Sequence, residues 1–224
     1  GEASGAAFQA RAVALSMDGA AFDVVKDGEI LGRIEMSASG NHNVRNALAA
    51  TVAALEAGAS FDGIAAAFAA FRGVRRRLEL RGEGRGVRVY DDFAHHPTAV
   101  RETIAALRSR IGAKERVITI FEPRSYTSRT RVFEKDFAHA FATADEVVIA
   151  GAHLPGKVPP AERISEETLV ASINLAGGTA RFIRTVEGIA STARGELRAG
   201  DHVLILSNGG FGGIHDRQLG AIRS

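Results

Sequence analysis

The chain has 224 residues, with 28 Lys or Arg against 26 Asp or Glu and no cysteine or tryptophan. A net charge of only +2 leaves no basic face for nucleic acid, and Arg75-Arg76-Arg77 is too short to make one without interleaved aromatics. Disulfides and thiolate metal sites are excluded, no apolar run approaches the roughly 20 residues of a membrane span, and no secretory signal opens the chain, a profile that fits the cytoplasm. Residues 8–15, 21–25 and 30–36 read as strands, joined by the turn signals Met17-Asp18-Gly19 and Lys26-Asp27-Gly28-Glu29. Three such strands alone can hardly enclose a core. An alanine-rich helix follows over 43–56, ended by Gly58, and a second over 61–71 sets Ile64, Phe68 and Phe71 on one face. Gly73-Val74 breaks the pattern, so residues 1–74 read as the tail of a larger domain and 75–224 as one complete domain.

From there strand and helix alternate. Strand-like runs occupy 87–90, Arg116–Phe121, Glu146–Ala150, Ala180–Ile183 and 202–206, and helical patterns occupy 99–111, 132–142, Glu166–Leu175 and 186–197. The alternation predicts an α/β fold, a mostly parallel sheet with helices on both faces. Lys157-Val158-Pro159-Pro160 reads as a plain loop, and nothing in the chain fixes an oligomeric state.

Asp91-Asp92-Phe93-Ala94-His95-His96-Pro97-Thr98 is the densest cluster of chemistry. It brings two carboxylates and two imidazoles to the carboxyl end of a strand, where open α/β sheets place ligands. Pro97 suits the first turn of the next helix. Asp91 or Asp92 as a simple helix cap is the competing reading; a metal reading of the four side chains is disfavoured. His42 and Asn46, at i and i+4, share a helix face and can hydrogen-bond a purine edge, unless the turn is merely polar with Asn41 or Asn43 as its cap. Arg124 follows the strand Arg116–Phe121 and is placed to fork onto a carboxylate, whereas Arg129 and Arg131 read as solvated charges. Ser207-Asn208-Gly209-Gly210-Phe211-Gly212-Gly213-Ile214-His215 follows the last strand and opens at the same edge, with glycines that let backbone N–H groups approach a ligand; a flexible loop is the alternative. No Gly-x-x-x-x-Gly-Lys-Ser/Thr and no dinucleotide fingerprint occur.

These segments resemble the Mur ligases, the ATP-dependent ligases of peptidoglycan precursor synthesis. Asp91–Thr98 resembles the family's strand-end motif, Gly40-Asn41-His42-Asn43-Val44-Arg45-Asn46-Ala47-Leu48-Ala49-Ala50 resembles the run ending its central domain, and Phe121-Glu122-Pro123-Arg124-Ser125 with the Ser207–His215 loop looks like the branch that adds a murein tripeptide. The resemblance implies a Rossmann-like C-terminal domain over 75–224, preceded by the β/α tail of the central ATPase domain over 1–74. It implies that His42 and Asn46 contact the adenine, that Asp92 holds the ribose hydroxyls, that Arg77 contacts the nucleotide, and that His95 orients the reacting centre. Arg124, Ser125, Ser207, Asn208, Gly209, Gly210 and His215 would hold the peptide. The implied reaction uses ATP and Mg²⁺, the latter held upstream of this chain, to join UDP-N-acetylmuramate to L-Ala-γ-D-Glu-meso-diaminopimelate through an acyl phosphate. The chain by itself is then expected to be inactive, since it lacks the phosphate loop. An L-alanine-adding ligase and a non-catalytic α/β module that binds a nucleotide or peptide are the alternatives.

Overall fold

The computed structural model describes residues 6–16, 19–38, 40–152, 158–159 and 161–223. Met17 and Asp18 of the first turn, and Lys157 and Pro160 of the later loop, lie outside the described residues. The chain divides between Val74 and Arg75 into two compact units.

In the first unit, β1 (Phe8–Leu15), β2 (Ala20–Lys26) and β3 (Glu29–Met36) form an antiparallel meander, followed by α1 (Asn41–Glu56) and α2 (Phe61–Ala70). Period-two alternation turns Phe22, Val24, Ile34 and Met36 to one sheet face, and helical spacing brings Val44, Ala47, Leu48 and Ile64 onto it. The helices therefore supply the core that the meander lacks. Gly40, not Asn41 or Asn43, occupies the cap position of α1, at φ 105°, and no side chain caps it. At α2, Ser60 Oγ accepts from the Gly63 N–H, and the helix stops before Phe71, which turns extended and is exposed instead of sharing the face of Ile64 and Phe68.

The second unit runs β4 (Glu79–Gly84), β5 (Val87–Asp92), α3 (Pro97–Arg108), β6 (Arg116–Phe121), α4 (Glu134–Phe141), β7 (Glu146–Ala150), α5 (Glu166–Leu175), β8 (Ala180–Ile183), α6 (Val186–Glu196), β9 (Asp201–Leu206) and α7 (Ile214–Arg223). Its six strands lie in the order β4-β5-β9-β6-β7-β8, all parallel from β5 to β8, with β4 antiparallel at one edge. Neither β4 nor α7 was expected.

The topology follows from crossover handedness. Connections between parallel strands are right-handed, so a chain that keeps moving one way across the sheet keeps its helices on one face. From β5 to β6, β7 and β8 it moves one way, and α3, α4 and α5 bury Val100, Ile104, Phe137, Phe141, Leu169 and Ile173 against Val117, Phe121, Val147 and Leu206. From β8 it returns to β9, inserted between β5 and β6, and Ile189 of α6 joins Ile214, Leu219 and Ile222 of α7 over Val89, Ile120, Val203 and Ile205 on the opposite face. The chain after β9 thus leaves toward one face while the chains after its neighbours β5 and β6 leave toward the other. That divergence opens a crevice at the carboxyl ends of these three strands.

Candidate functional site

Three segments meet at this edge. Asp92, Leu206 and Phe121 are in register across β5, β9 and β6, the Ser207 N–H donates to the Asp92 carbonyl, and the Glu122 N–H donates to the Leu206 carbonyl. Residues 91–96, 122–125 and 207–215 are therefore brought together by the sheet.

Asp91 and Asp92 alternate to opposite faces, and both are buried, at 2% and 3% exposure. Neither caps α3, whose cap position is His96, with Pro97 in the first turn as expected. Asp91 faces the Arg76 guanidinium, with Nε at 3.1 Å from one oxygen, and the His215 ring, with Nε2 at 3.2 Å from the other, the histidine lying off the line of a hydrogen bond. Burial pushes the Asp91 carboxyl up, but His215 and Arg76 together hold it below the ordinary aspartate value. Arg76 also donates to the Ser207 carbonyl and stacks over the Phe93 ring. It is a structural tie, unlike Arg75 and Arg77, which are exposed.

Asp92 is occupied from within. Its Oδ2 accepts from the Leu78 N–H at 2.7 Å, and its Oδ1 from the Ala94 N–H at 2.8 Å and more weakly from Thr103 Oγ1 at 3.4 Å. Burial raises its pKa above the ordinary aspartate value despite these donors and the nearby Arg77. A carboxylate has about four lone-pair positions, so a ribose hydroxyl has little of Asp92 left to meet. His95 Nδ1 lies 2.9 Å from the Phe93 carbonyl, an acceptor, so Nδ1 carries a proton and donates it there. His96 packs edge-on against Phe133. His42 and Asn46 lie one turn apart on α1, in the other unit, His42 half-buried and Asn46 exposed.

On the β6 side, Arg124 is half-buried and leans on Gly209: a Cβ added there would fall 2.1–2.4 Å from the Arg124 Nε, Cζ and Cδ atoms. Only glycine permits this approach. Arg124 Nη1 stands 3.7 Å from Glu122 Oε2, and no hydrogen bond joins its guanidinium to another described residue. Glu122 is buried and already accepts from Ser207 Oγ at 2.6 Å, while Ser207 Oγ accepts from the Gly209 N–H at 3.0 Å. Glu122 had escaped sequence reading, because only the fold reveals that its carboxylate braces the glycine loop. Ser125 is turned inward, its Oγ accepting from the Ser128 N–H and donating to Ser128 Oγ. Arg129 is not the solvated charge expected. It is 7% exposed and donates from Nε to the Ser125 carbonyl, whereas Arg131 is exposed.

The glycine loop takes a defined turn. Phe211, Gly212 and Gly213 take φ of 43°, 56° and 71°, forming a left-handed turn that feeds α7, and the Gly213 N–H donates to the Gly210 carbonyl. A left-handed phenylalanine costs on the order of 1 kcal/mol, which its burial in the second core offsets. Asn208 Oδ1 is enclosed without a partner. Among the described residues no group of three His, Cys, Asp or Glu side chains could hold a metal ion, and no helix is long and apolar enough to cross a membrane.

The topology is that of a doubly wound α/β domain, and the arginine fork and glycine turn sit at its divergence point, where such sheets generally place ligands. The family model described as Mur ligase, glutamate ligase domain, matches residues 76–209, and the chain belongs to the Mur ligase family. It is 41% identical over 206 residues to the UDP-N-acetylmuramate–L-alanyl-γ-D-glutamyl-meso-2,6-diaminoheptandioate ligase of Escherichia coli K12, covering 92% of this chain and 43% of that protein. It is 39% identical over 190 residues to the UDP-N-acetylmuramate–L-alanine ligase of Kineococcus radiotolerans, covering 85% and 40%. Among solved structures, a murein peptide ligase from Psychrobacter arcticus superposes with a TM-score of 0.71 at 33% identity, over 97% of this chain and 44% of that one. The chain spans less than half the length of these relatives.

Proposed function

We propose that this chain forms part of an ATP-dependent, ADP-forming ligase that joins UDP-N-acetylmuramate to L-Ala-γ-D-Glu-meso-diaminopimelate in peptidoglycan recycling. The observation that carries the reading is Arg124. It stands half-buried at the carboxyl end of β6, held against Gly209 with its fork unengaged apart from a 3.7 Å approach to Glu122. A planar guanidinium in that state suits a carboxylate, which it can bind in two places. In this reading Arg124, Asn208, Gly209, Gly210 and His215 face the incoming peptide, and Ser207, buried with its hydroxyl engaged by Glu122 and the Gly209 N–H, acts from beneath by bracing the loop. Ser125 serves from behind, by capping the turn that follows Arg124. His95, its ring held by the Phe93 carbonyl, orients the reacting groups. His42, Asn46 and Arg77 are the nucleotide contacts, with Asp92 contributing what its internal donors leave open.

ATP supplies the phosphoryl group that activates the muramate carboxylate. The described residues offer no ligand set for Mg²⁺, so no step is assigned to a metal here. What these residues do is bind and orient the peptide whose amine attacks, which is a positioning role of the kind that dominates such chemistry.

A coupled ADP-release assay on the full-length protein, with ATP, UDP-N-acetylmuramate and either the tripeptide or L-alanine, tests the assignment. Tripeptide-dependent release is expected, and release with L-alanine alone would make the protein an alanine-adding ligase instead. The 224-residue chain by itself is expected to release no ADP above background, because its sequence holds no phosphate loop.

A further inference from the structure

Beside Arg124, the chain makes a second, smaller recess. Pro123, Arg129, Ala152, Arg163 and Glu166 line a cavity of about 20 Å³ at the carboxyl ends of β6 and β7. Its two arginines come from segments that meet at one antiparallel bridge: Arg129 ends a 3-10 turn over Thr127–Arg129, Thr130 bridges to Arg163, and the Ile164 N–H donates to the Arg129 carbonyl at 3.0 Å. Both guanidiniums are anchored. Arg129 Nε donates to the Ser125 carbonyl at 3.1 Å, and Arg163 Nη2 donates to the Val158 carbonyl at 2.8 Å. The one carboxylate in the lining, Glu166, is turned to the loop after β7, its Oε1 accepting from the Ala152 N–H at 2.8 Å. Arg163 Nε, aimed from this lining, is enclosed with no hydrogen-bond partner among the described residues. An enclosed charged donor without an acceptor is costly.

We propose that this recess is an anion subsite, receiving an oxygen of a ligand carboxylate while a second carboxylate of the same ligand meets Arg124. Its volume decides what enters. About 10–15 Å³ holds a single water-sized group, so the end of a carboxylate fits and a whole amino acid does not. The two subsites share one short stretch of chain, since Pro123 lines the recess, Arg124 follows it, and the Ser125 carbonyl holds Arg129. The inference rests on the peptide reading of Arg124. It deepens that reading, because a tripeptide ending in a diamino dicarboxylate brings several carboxylates whereas a single alanine brings one.

The test is nuclear magnetic resonance of the arginine Nε–Hε groups in the full-length protein, titrated with L-Ala-γ-D-Glu-meso-diaminopimelate and separately with L-alanine. The tripeptide should move the signals of both Arg124 and Arg163, and L-alanine that of Arg124 alone. Arg163→Gln should weaken tripeptide binding about tenfold to a hundredfold and leave L-alanine unaffected. Arg163→Lys should restore part of the loss. If the tripeptide moves Arg124 and leaves Arg163 still, the recess holds only water and the subsite is overturned while the peptide reading stands. If neither signal moves, the peptide reading falls and the subsite with it. Wild-type spectra alone separate these outcomes should Arg163→Gln fail to fold.

Discussion

Strands β6 and β9 carry an arginine and a carboxylate at each end, and the two ends use them differently. At the amino ends, Arg116 and Asp201 are in register and meet through two hydrogen bonds, at 2.8 and 2.6 Å, and Asp201, 1% exposed, also accepts from the Arg198 N–H. At the carboxyl ends, Arg124 stays 3.7 Å from a Glu122 whose carboxylate is taken by Ser207. One arginine is consumed by the fold, and the other is held in place but left with donors to offer. The same residue types thus divide into stability and recognition according to whether their partner geometry is closed.

Three experiments bear on this division of roles. The largest effect is expected from Asp201→Ala, which removes the buried partner of Arg116 and the acceptor of the Arg198 N–H. It should lower unfolding free energy by about 3 kcal/mol in urea melts. A change within about 0.5 kcal/mol would show that the amino-end pair is ornamental. Gly209→Ala comes next. Its new Cβ displaces Arg124 from the loop, so in the full-length protein the apparent KM for tripeptide should rise about tenfold. Stability should change by less than about 1 kcal/mol. An unchanged KM would mean that the Arg124–Gly209 approach has no part in binding.

The smallest effect is a pH dependence at the amino ends. Burial holds the His202 imidazole below its ordinary value, against the opposing pull of Glu115. A base with a depressed folded pKa contributes stability that is present above its unfolded value, about 6.5, and is lost as pH falls from there toward the folded one. Urea midpoints should therefore decline on acidification below about pH 6.5, and His202→Gln should flatten that part of the profile. An identical slope in the variant would assign the decline to other groups.

Much of the second unit was legible in the sequence because buried parallel strands such as Val117-Ile118-Thr119-Ile120-Phe121 are continuous apolar runs. β4 was not, since Glu79-Leu80-Arg81-Gly82-Glu83-Gly84 is a half-exposed edge strand with almost no apolar signal. α7 was hidden behind a glycine cluster that reads as loop, and its buried face includes Gln218 as well as Ile214, Leu219 and Ile222. The convergence of Arg124 with the Ser207–His215 loop followed from both lying after strand ends. The bracing of that loop by Glu122, Arg76 and Asp91 did not follow, because those contacts join residues 85 to 131 positions apart. Arg129 shows the same limit: an Arg beside polar neighbours reads as solvated until an antiparallel bridge encloses it.

On the proposed reading, Arg124 receives a carboxylate of the peptide. Its most direct test is the steady-state kinetics of Arg124→Ala in the full-length protein, with tripeptide and ATP varied in turn. Loss of a charged, forked contact should raise the apparent KM for tripeptide about 30- to 150-fold and leave that for ATP near wild type. A raised constant for ATP with an unchanged one for tripeptide would place Arg124 on the nucleotide side and contradict the claim.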